Sequence, residues 1–274
     1  MNTVRVMSKN AAYQKFEVLR TNRNKRYRYG EFLVEGVRNI NHAIRNGWQF
    51  TSLLYSPETP LSRWAQEVLD TVSCDTHYQL SSNLMQELSG KTDTSELLAI
   101  LRMRPDDPAL MHDSPCPLYI LFDRPSNHGN LGSIIRSADA LGADGLILTG
   151  HGVDLYQPEV ITASMGSFFN LPAIRMADND TVFDWIARQR DLHPGFQVIG
   201  TTAHKQLNIT QVDFKLPTLL MIGNETEGLC RAFKEGCDLL ATIPMADTSS
   251  ASSFNVACAA TVMMYEVCRQ RAQG

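Results

Sequence analysis

Polar residues follow apolar runs at three places in the second half of the chain, and the first of these could bind an anionic ligand. The run LYILF leads into a glycine-containing turn with Asn130, and a helical segment that contains Arg136 follows. The amides in the first turn of a helix are unpaired and the helix dipole is positive there, so a phosphate or carboxylate could bind. Alternatively, Asn130 could only cap this helix, and Arg136 could face solvent.

The other two places have the same order of strand, loop and helix. In LLMIGNETEGL an apolar run ends before Gly223 and Glu225, and glycine there would let a ligand approach the backbone closely. In IPMADTSSASSFN a serine-rich loop leads to Ser253 and Asn255 at the start of the last helix. Capping or a place in the first helical turn could explain each residue singly. Three such junctions in this order are much more specific than any one of them.

Two common kinds of site do not fit the sequence. Gly129 and Gly132 do not form the GxGxxG pattern of dinucleotide-binding folds, and Gly150 and His151 stand where an acidic ribose-binding residue would be expected. The six cysteines include no CxxC pair, so neither a metal site nor disulfide bonds are predicted. A nucleotide-dependent oxidoreductase is therefore disfavoured.

The elements that must hold these residues divide into two predicted domains. Over 118–274, apolar runs alternate with helical segments or long connections, which predicts an α/β domain with a mostly parallel sheet covered by helices on both faces. Over 31–103, strands and amphipathic helices alternate and predict a smaller α/β domain. The proline-rich residues 104–117 are the predicted linker, and residues 1–30 a basic N-terminal extension.

Charge is unevenly distributed along the chain. The 274 residues have a net charge of −4, but residues 1–50 contain ten Lys or Arg and three Glu, a balance of +7, so the remaining 224 residues sum to −11. Within ten residues, Arg20–Tyr29 contains five cations and two tyrosines, which suits RNA phosphates and unpaired bases. A solvated helix or tail is the alternative. The RNA-binding candidates are Arg20, Arg23, Lys25, Arg26, Arg28 and Arg38.

The sequence shows no signal for a membrane or for export. No apolar run approaches the roughly 18 to 20 residues that span a bilayer, and the first residues lack the apolar core of a secretory signal. A soluble, cytoplasmic protein is expected.

With the three junctions taken together, the sequence resembles the SpoU/TrmH family of RNA ribose 2′-O-methyltransferases, in the SPOUT class. The first family motif has an Asn with a Gly two residues later and an Arg six residues later, the second is GxExxG, and the third is IPM followed by Ser-x-Asn. The matching positions are Asn130, Gly132, Arg136, Gly223, Glu225, Gly228, Ile243, Pro244, Met245, Ser253 and Asn255. The resemblance spans residues 117–270, and FLVEGVRNINHAIRNG is similar to the family's accessory RNA-recognition domain.

This resemblance implies a cofactor, partners and roles for the motif residues. It implies S-adenosyl-L-methionine as methyl donor, ribosomal or transfer RNA as substrate, a trefoil knot in the C-terminal domain and a homodimer packed through the last helix. Around the acceptor ribose it implies Asn130, Arg136, Glu225, Ser253 and Asn255. Along the cofactor it implies Thr201, Gly223, Asn224, Ile243, Met245 and Phe254. The loop between Met245 and Ser253 is two residues longer than the usual family spacing, and Phe254 replaces the usual leucine.

Three alternatives stay open at this level. Arg136 could accept the proton of the ribose hydroxyl with phosphate assistance, or it could remain a cation that orients the ribose-phosphate and stabilises the alkoxide. The chain could also be an RNA-binding or ribosome-associated protein without activity, although the intact motif residues favour an enzyme. Finally, an apolar stripe on the last helix could be core or a subunit interface, and it comprises Val256, Ala259, Ala260, Met263, Met264 and Val267.

Overall fold

The computed structural model describes residues 2–90, 93–204 and 206–272. Within them the chain forms two compact units. The first unit takes Met1–Arg104 together with Asp154–Asn170, and the second takes Pro105–Val153 together with Leu171–Gly274.

The strands and helices follow one another in chain order. The strands are β1 (Asn2–Val6), β2 (Glu31–Glu35), β3 (Phe50–Tyr55), β4 (Thr76–Leu80), β5 (Leu97–Arg102), β6 (Leu118–Asp123), β7 (Gly145–Thr149), β8 (Ala173–Met176), β9 (Gln197–Thr201), β10 (Leu207–Asn208), β11 (Thr218–Ile222) and β12 (Leu239–Thr242). The helices are α1 (Ala11–Thr21), α2 (Arg23–Tyr29), α3 (Val37–Arg45), α4 (Arg63–Thr71), α5 (Ser82–Leu88), α6 (His128–Ala140), α7 (Pro158–Ala163), α8 (Asn179–Leu192), α9 (Arg231–Gly236) and α10 (Val256–Arg271).

The first unit is built on a five-stranded mixed sheet. Its order is β1-β4-β3-β5-β2, with β5 antiparallel to both of its neighbours and the other pairs parallel. The predicted alternation of strands and amphipathic helices over 31–103 is present in β2, α3, β3, α4 and β5, because their apolar residues have clear strand or helix periods.

Residues 2–29 are integrated into this first unit and do not form a separate basic extension. Strand β1 pairs with β4 along its whole length. Helix α1 buries Tyr13, Phe16 and Leu19 on one face, while its charged residues take the other positions. Net charge alone therefore did not reveal that this segment has an apolar face to bury.

The segment Asp154–Asn170 also belongs to the first unit, although it lies within the sequence of the predicted C-terminal domain. The indole N–H of Trp48 donates to the carbonyl oxygen of Phe169 at 2.9 Å. The ring of Trp48 stacks on Phe168 with centroids 5.5 Å apart, and Phe32 packs edge-on against both. This buried aromatic cluster is what attaches the segment to the first unit.

The second unit contains a seven-stranded, wholly parallel sheet and confirms the predicted fold class. Its order is β10-β12-β9-β11-β6-β7-β8, and β10 at its edge has only two residues. Strands β6 and β11 are neighbours in the middle, with Phe122 paired to Ile222 near their carboxyl ends. The loops that follow these two strands therefore start side by side. The trefoil knot stays a prediction.

Helix α10 buries most of the apolar stripe that the sequence left open. Ala260, Met263, Met264 and Val267 are at most 2% exposed and belong to the core, while Val256 and Ala259 are partly exposed. Helix α6 packs beside α10, and the hydroxyls of Ser137 and Thr261 are hydrogen-bonded at 2.7 Å. These four buried side chains are covered within one chain and are therefore not the dimer face.

A different face of α10 is exposed and apolar. Val262 is 39% exposed and Tyr265 is 58% exposed, and Cys258 lies one turn earlier on the same face. Just before the helix, Phe254 is 45% exposed. Among the described residues, no helix is long and apolar enough to cross a membrane.

Candidate functional site

Glu225 is the acceptor at the centre of the site. Its carboxylate accepts hydrogen bonds from the backbone N–H and the hydroxyl of Ser126, at 3.0 and 2.6 Å, and from the backbone N–H of Asn127 at 3.2 Å. The side-chain amide of Asn130 donates to it at 3.3 Å. Because β6 and β11 are adjacent, the loops that follow them meet, and Glu225 joins them. The alternative that Glu225 sits in the first turn of a helix is wrong, since the next helix begins at Arg231.

Asn255 extends this arrangement to the third motif. Its Nδ2 donates to Oδ1 of Asn130 at 3.1 Å. Its own Oδ1 accepts from the backbone N–H groups of Ala257 and Cys258, at 2.9 and 3.3 Å, so it also caps α10. The prediction that Asn255 caps the last helix is confirmed. Its side-chain amide also binds Asn130, which capping does not explain.

Asn130 itself does not cap a helix. The cap of α6 is Asn127, whose side chain accepts from the backbone N–H of Asn130 at 2.9 Å. Asn130 lies inside the first turn, and its side chain is used for Glu225 and Asn255 instead. The prediction that Asn130 caps α6 was therefore wrong. The cap is three residues earlier, and the sequence did not distinguish the two asparagines because the side chain of either one can cap a helix.

The hydrogen bonds to Glu225 decide its charge. Partial burial raises the pKa of this carboxyl, but hydrogen bonds from Ser126 and Asn130 lower it by more, so the pKa ends below its ordinary value of 4.5. Glu225 is therefore ionised at neutral pH. An ionised carboxylate of low pKa is a strong hydrogen-bond acceptor and a weak base.

A cavity of about 330 Å³ lies beside this carboxylate, and Glu225 and Ser253 are in its wall. All six positions expected along a cofactor also line it, namely Thr201, Gly223, Asn224, Ile243, Met245 and Phe254. Sequence reasoning missed other lining residues that follow β9 or open α10, among them Thr202, His204, Val256 and Ala259. They were missed because no motif letter marks them, although the ends of β9 and the start of α10 were both predicted.

Gly223 is required by the chain itself. A Cβ at this position would lie 2.3 Å from the backbone nitrogen of Leu229 and 2.4 Å from the carbonyl carbon of Gly228. The absence of a side chain at Gly223 thus lets its backbone lie close to the loop that follows β11. Any larger side chain would displace that loop. A bulky substitution here cannot separate ligand binding from local structure.

Arg136 stands apart from the hydrogen-bonded residues. It is exposed on α6, and within the described part of the chain it makes no hydrogen bond or ion pair. Six residues of helix separate it from Asn130, which is about 9 Å along the axis at 1.5 Å per residue. The structure therefore brings Asn130, Glu225 and Asn255 into contact and leaves Arg136 as a separate, accessible cation.

The predicted RNA-binding cations differ in their surroundings, and Arg26 is a correction. Its side chain is 1% exposed and forms an ion pair of 2.7 Å with Asp154, which also accepts from the hydroxyl of Tyr27 at 2.9 Å. Arg26 also donates to the carbonyl oxygens of Leu19 and Arg20, each at 3.0 Å. A guanidinium so enclosed cannot contact RNA, and its role is to hold the segment that begins at Asp154.

The other five predicted RNA-binding cations are more accessible than Arg26, to different degrees. One terminal nitrogen of Arg20 donates to three carbonyl oxygens at the end of α5, at 3.0 to 3.1 Å, so that part of its guanidinium is occupied. Arg23 and Lys25 are half-buried, with Arg23 over the ring of Tyr27, while Arg28 and Arg38 are exposed. The sequence could not make this distinction because all six have the same charge.

Comparisons with known proteins agree with this geometry. Residues 117–265 match the model of the SpoU rRNA Methylase family, and residues 10–99 match the SpoU L30e-like domain. The chain is 45% identical over 271 residues to the 23S rRNA (uridine(2479)-2′-O)-methyltransferase of Streptomyces viridochromogenes, covering 98% of this chain and 93% of the relative. It is 25% identical over 260 residues to the 23S rRNA (guanosine(2553)-2′-O)-methyltransferase RlmP of Bacillus subtilis, covering 95% and 97%.

Two crystal structures extend the likeness to three dimensions. The SpoU methyltransferase AviRb from Streptomyces viridochromogenes, in complex with the cofactor AdoMet, superposes with a TM-score of 0.91 at 45% identity, covering 97% of this chain and 99% of that one. An AdoMet-bound rRNA methyltransferase from Sinorhizobium meliloti superposes with a TM-score of 0.84 at 28% identity, covering 97% and 98%.

Proposed function

This chain belongs to the SpoU rRNA methylase family, and from that premise we propose that it methylates a ribose 2′-hydroxyl of ribosomal RNA with S-adenosyl-L-methionine as donor. The observation that carries the proposal is the path of hydrogen bonds from Glu225 through Asn130 to Asn255, beside a cavity lined by every position expected at the cofactor. The name of the relative that is 45% identical makes 23S rRNA the first substrate to test.

The cavity suits the cofactor in size and in chemistry. Its volume of about 330 Å³ falls in the range of about 300 to 1,000 Å³ typical of small-molecule sites. Ile222, Ile243 and Met245 supply apolar surface for a purine ring, and polar groups of Thr201 and Thr202 lie on the wall as well. These residues would hold S-adenosyl-L-methionine, which when bound supplies a methyl group on a sulfonium.

The hydrogen-bonded path leaves only one orientation for both asparagine amides. Ionised Glu225 can only accept, so Asn130 must turn its NH₂ toward it and its Oδ1 away. The N–H groups at the start of α10 can only donate, so Asn255 must turn its Oδ1 toward them and its NH₂ toward Asn130. The orientation of the Asn130 amide is therefore fixed by the Glu225 carboxylate, and that of the Asn255 amide by the backbone N–H groups of α10.

These fixed amides can orient an acceptor ribose. Each NH₂ group has two N–H bonds, and the path uses one of them. The second N–H on Asn130 and on Asn255 is available to a ribose oxygen, as is the hydroxyl of Ser253 on the cavity wall. Methyl transfer requires the hydroxyl and the methyl carbon to be held within about 3 to 3.5 Å in line. Orientation of the ribose is the contribution that these residues make.

Arg136 completes the site as a contact for the ribose-phosphate. It is exposed and has no partner in the described part of the chain, so its planar fork is free to bind two phosphate oxygens. A cation there would also stabilise the alkoxide as the 2′-hydroxyl loses its proton. The general-base role is the alternative, and it requires that Arg136 lose a proton.

The first unit recognises the RNA. It contains the SpoU L30e-like domain, and its accessible cations Arg23, Lys25, Arg28 and Arg38 offer phosphate contacts. Arg26 is excluded because it is buried against Asp154, and Arg20 is left out because it is bound to three carbonyl oxygens at the end of α5.

The protein forms a homodimer through the exposed face of α10. Cys258, Val262 and Tyr265 recur at helical spacing and form an apolar strip that a second copy would cover. The interface is still on the C-terminal helix, but it uses this exposed strip and not the apolar stripe that the sequence offered as an interface. An enzyme that acts on ribosomal RNA is expected in the cytoplasm.

Transfer of a labelled methyl group tests the proposed function. Purified protein with methyl-labelled S-adenosyl-L-methionine should label 23S rRNA, and the label should remain in a 2′-O-methyl nucleoside after complete digestion. Transfer RNA, incubated in parallel, serves as the comparison substrate. The alternative, an RNA-binding protein without activity, predicts RNA affinity with no transfer to any RNA.

A further inference from the structure

Arg124, directly after β6, has a backbone conformation that is unusual for its residue type. Its φ angle is +50°, in the left-handed region that favours glycine. Strained residues of this kind persist only where surrounding contacts hold them, and they are common at functional sites. No motif pointed to Arg124, so its contacts must show what the strain accomplishes.

The guanidinium of Arg124 is bound on several sides. Nε and one Nη donate to the two carboxylate oxygens of Asp123, both at 3.1 Å, and that Nη also donates to the carbonyl oxygen of Gly228 at 3.0 Å. The other Nη is paired with the carboxylate of Glu227. Asp123 is 2% exposed and is itself fixed by the backbone N–H of Cys230 at 2.7 Å. Arg124 thus joins the buried end of β6 to two residues of the loop after β11.

That loop, residues 224–228, forms a closed turn. The backbone N–H and carbonyl of Asn224 pair with those of Gly228, at 3.1 and 3.0 Å. The Oδ1 of Asn224 accepts from the backbone N–H groups of Thr226 and Glu227, and its Nδ2 donates to the carbonyl oxygen of Arg124 at 2.7 Å. Both the carbonyl and the side chain of Arg124 therefore bind the same turn, from two directions.

Glu225 is carried by this turn, one residue after Asn224. We infer that Arg124 is a positioning residue, which fixes the 224–228 turn so that the carboxylate of Glu225 meets Ser126 and Asn130 and the turn forms part of the cavity wall. The inference rests on the proposed function, since it assigns Arg124 a part in methyl transfer through Glu225. The side-chain hydrogen bonds and ion pairs of Arg124 go to Asp123, Glu227 and Gly228 and not to Asn130 or Asn255, so its effect must pass through the turn.

Arg124→Gly separates positioning from simple structural support. Glycine adopts a φ of +50° without strain, so the change removes the guanidinium while relieving the backbone. Removing the guanidinium leaves buried Asp123 without its cation, so we expect the melting temperature to fall. At a temperature where circular dichroism shows the variant fully folded, kcat for methyl transfer to 23S rRNA should still fall by about tenfold or more. Arg124→Lys keeps the charge without the planar fork of the guanidinium, and its kcat should lie between those of the wild type and of Arg124→Gly.

A double mutant identifies the route of the effect. If Arg124 acts through Glu225, then Arg124→Gly should reduce kcat far less in a Glu225→Gln background than in the wild type. Arg231→Ala is the matched control, because it removes a neighbouring arginine that pairs at the surface with Glu235 and does not bind the turn. This control should leave kcat and KM unchanged.

The outcomes distinguish this inference from the proposed function. A wild-type protein that transfers no methyl group to any RNA would remove the proposed function, and the inference with it. An active wild type with an Arg124→Gly variant of equal kcat would overturn the inference alone. So would losses from Arg124→Gly and Glu225→Gln that multiply independently, or a loss of kcat that disappears at temperatures where the variant is fully folded.

Discussion

The side-chain amide of Asn255 donates to the side-chain oxygen of Asn130 over 3.1 Å, across 125 positions of sequence. This one bond connects the start of α10 to the start of α6. It gives Asn255 two separate tasks, because the oxygen of its amide caps α10 while the nitrogen holds Asn130. Substitutions that keep one task and remove the other can therefore measure each.

Asn255→Asp should preserve the helix and impair the reaction. Aspartate caps a helix as well as asparagine but has no N–H for Asn130, and its charge adds to that of nearby Glu225. We expect wild-type thermal stability with methyl transfer reduced at least about tenfold. Asn255→Ala should lose the same activity and also about 1 kcal/mol of stability from the missing cap. Calorimetric unfolding with a transfer assay measures both, and an Asn255→Asp variant of full activity would contradict the assigned role.

Glu225 should remain ionised well into the acid range. Its folded-state pKa is lowered, so the stability it contributes is fully present above its ordinary pKa of 4.5 and is lost as the pH falls through the lower folded-state value. A titration followed by the carboxyl carbon signal in NMR should give a midpoint below 4.5. In Asn130→Ala, which removes one donor, the midpoint should rise toward 4.5. A wild-type midpoint above 4.5 would make Glu225 a candidate base instead.

Arg136 should act on the RNA and not on the cofactor. Arg136→Ala is expected to reduce methyl transfer by about 10²- to 10³-fold, as for loss of a donor to a developing oxyanion. Binding of S-adenosyl-L-methionine, measured by calorimetry, should not change. Arg136→Lys should fail as well, since a point charge does not reproduce the planar fork. Near wild-type activity of Arg136→Lys would rule out both the clamp and the general-base role.

The cations of the first unit should separate into a binding set and a structural residue. Replacing Arg23, Lys25 and Arg28 together by Ala should lower the slope of log K against log salt for unpaired RNA by about 2, at roughly 0.7 per phosphate. Arg26→Ala should instead lower the stability by about 3 to 5 kcal/mol, because it leaves the buried Asp154 unpaired. An unchanged slope in the triple variant would move recognition to Arg38 and the rest of the unit.

The exposed face of α10 should control assembly. Sedimentation of the wild type is expected to show a dimer of twice the chain mass of 30.6 kDa. Tyr265→Glu should shift it to the monomer, because a charge would be buried in the contact. Leu192→Glu is the matched control, since Leu192 is 64% exposed on α8 and lies outside this strip. A wild-type monomer at micromolar concentration would contradict the dimer.

The sequence predicted the parallel sheet and the three motif loops well, for a physical reason. Strands β6, β7 and β11 are continuous apolar runs buried on both faces, and the first two motifs follow β6 and β11. The third motif follows β12, which is only partly buried. The six positions expected along a cofactor line one cavity, which only the fold shows, and their part in cofactor binding stays a prediction.

Other features depended on contacts that no local pattern encodes. The charge of Arg26 predicted exposure, but a partner 128 positions away allowed its burial. The apolar stripe of α10 has the same period whether it is core or interface, and the neighbouring elements decide which. The strained Arg124 was invisible to the sequence because a left-handed arginine has no signature in composition or spacing.

The central claim, that this chain transfers a methyl group to a ribose of ribosomal RNA, is tested most directly by the product. Protein-free 23S rRNA is incubated with S-adenosyl-L-methionine and either the wild-type protein or the Asn255→Asp variant. The RNA is then digested to nucleosides, which are identified by mass spectrometry. We predict one 2′-O-methylated nucleoside with the wild type, and at least about tenfold less of it with the variant. A methyl group found on a base, or no methylation of any RNA by the wild type, would contradict the account.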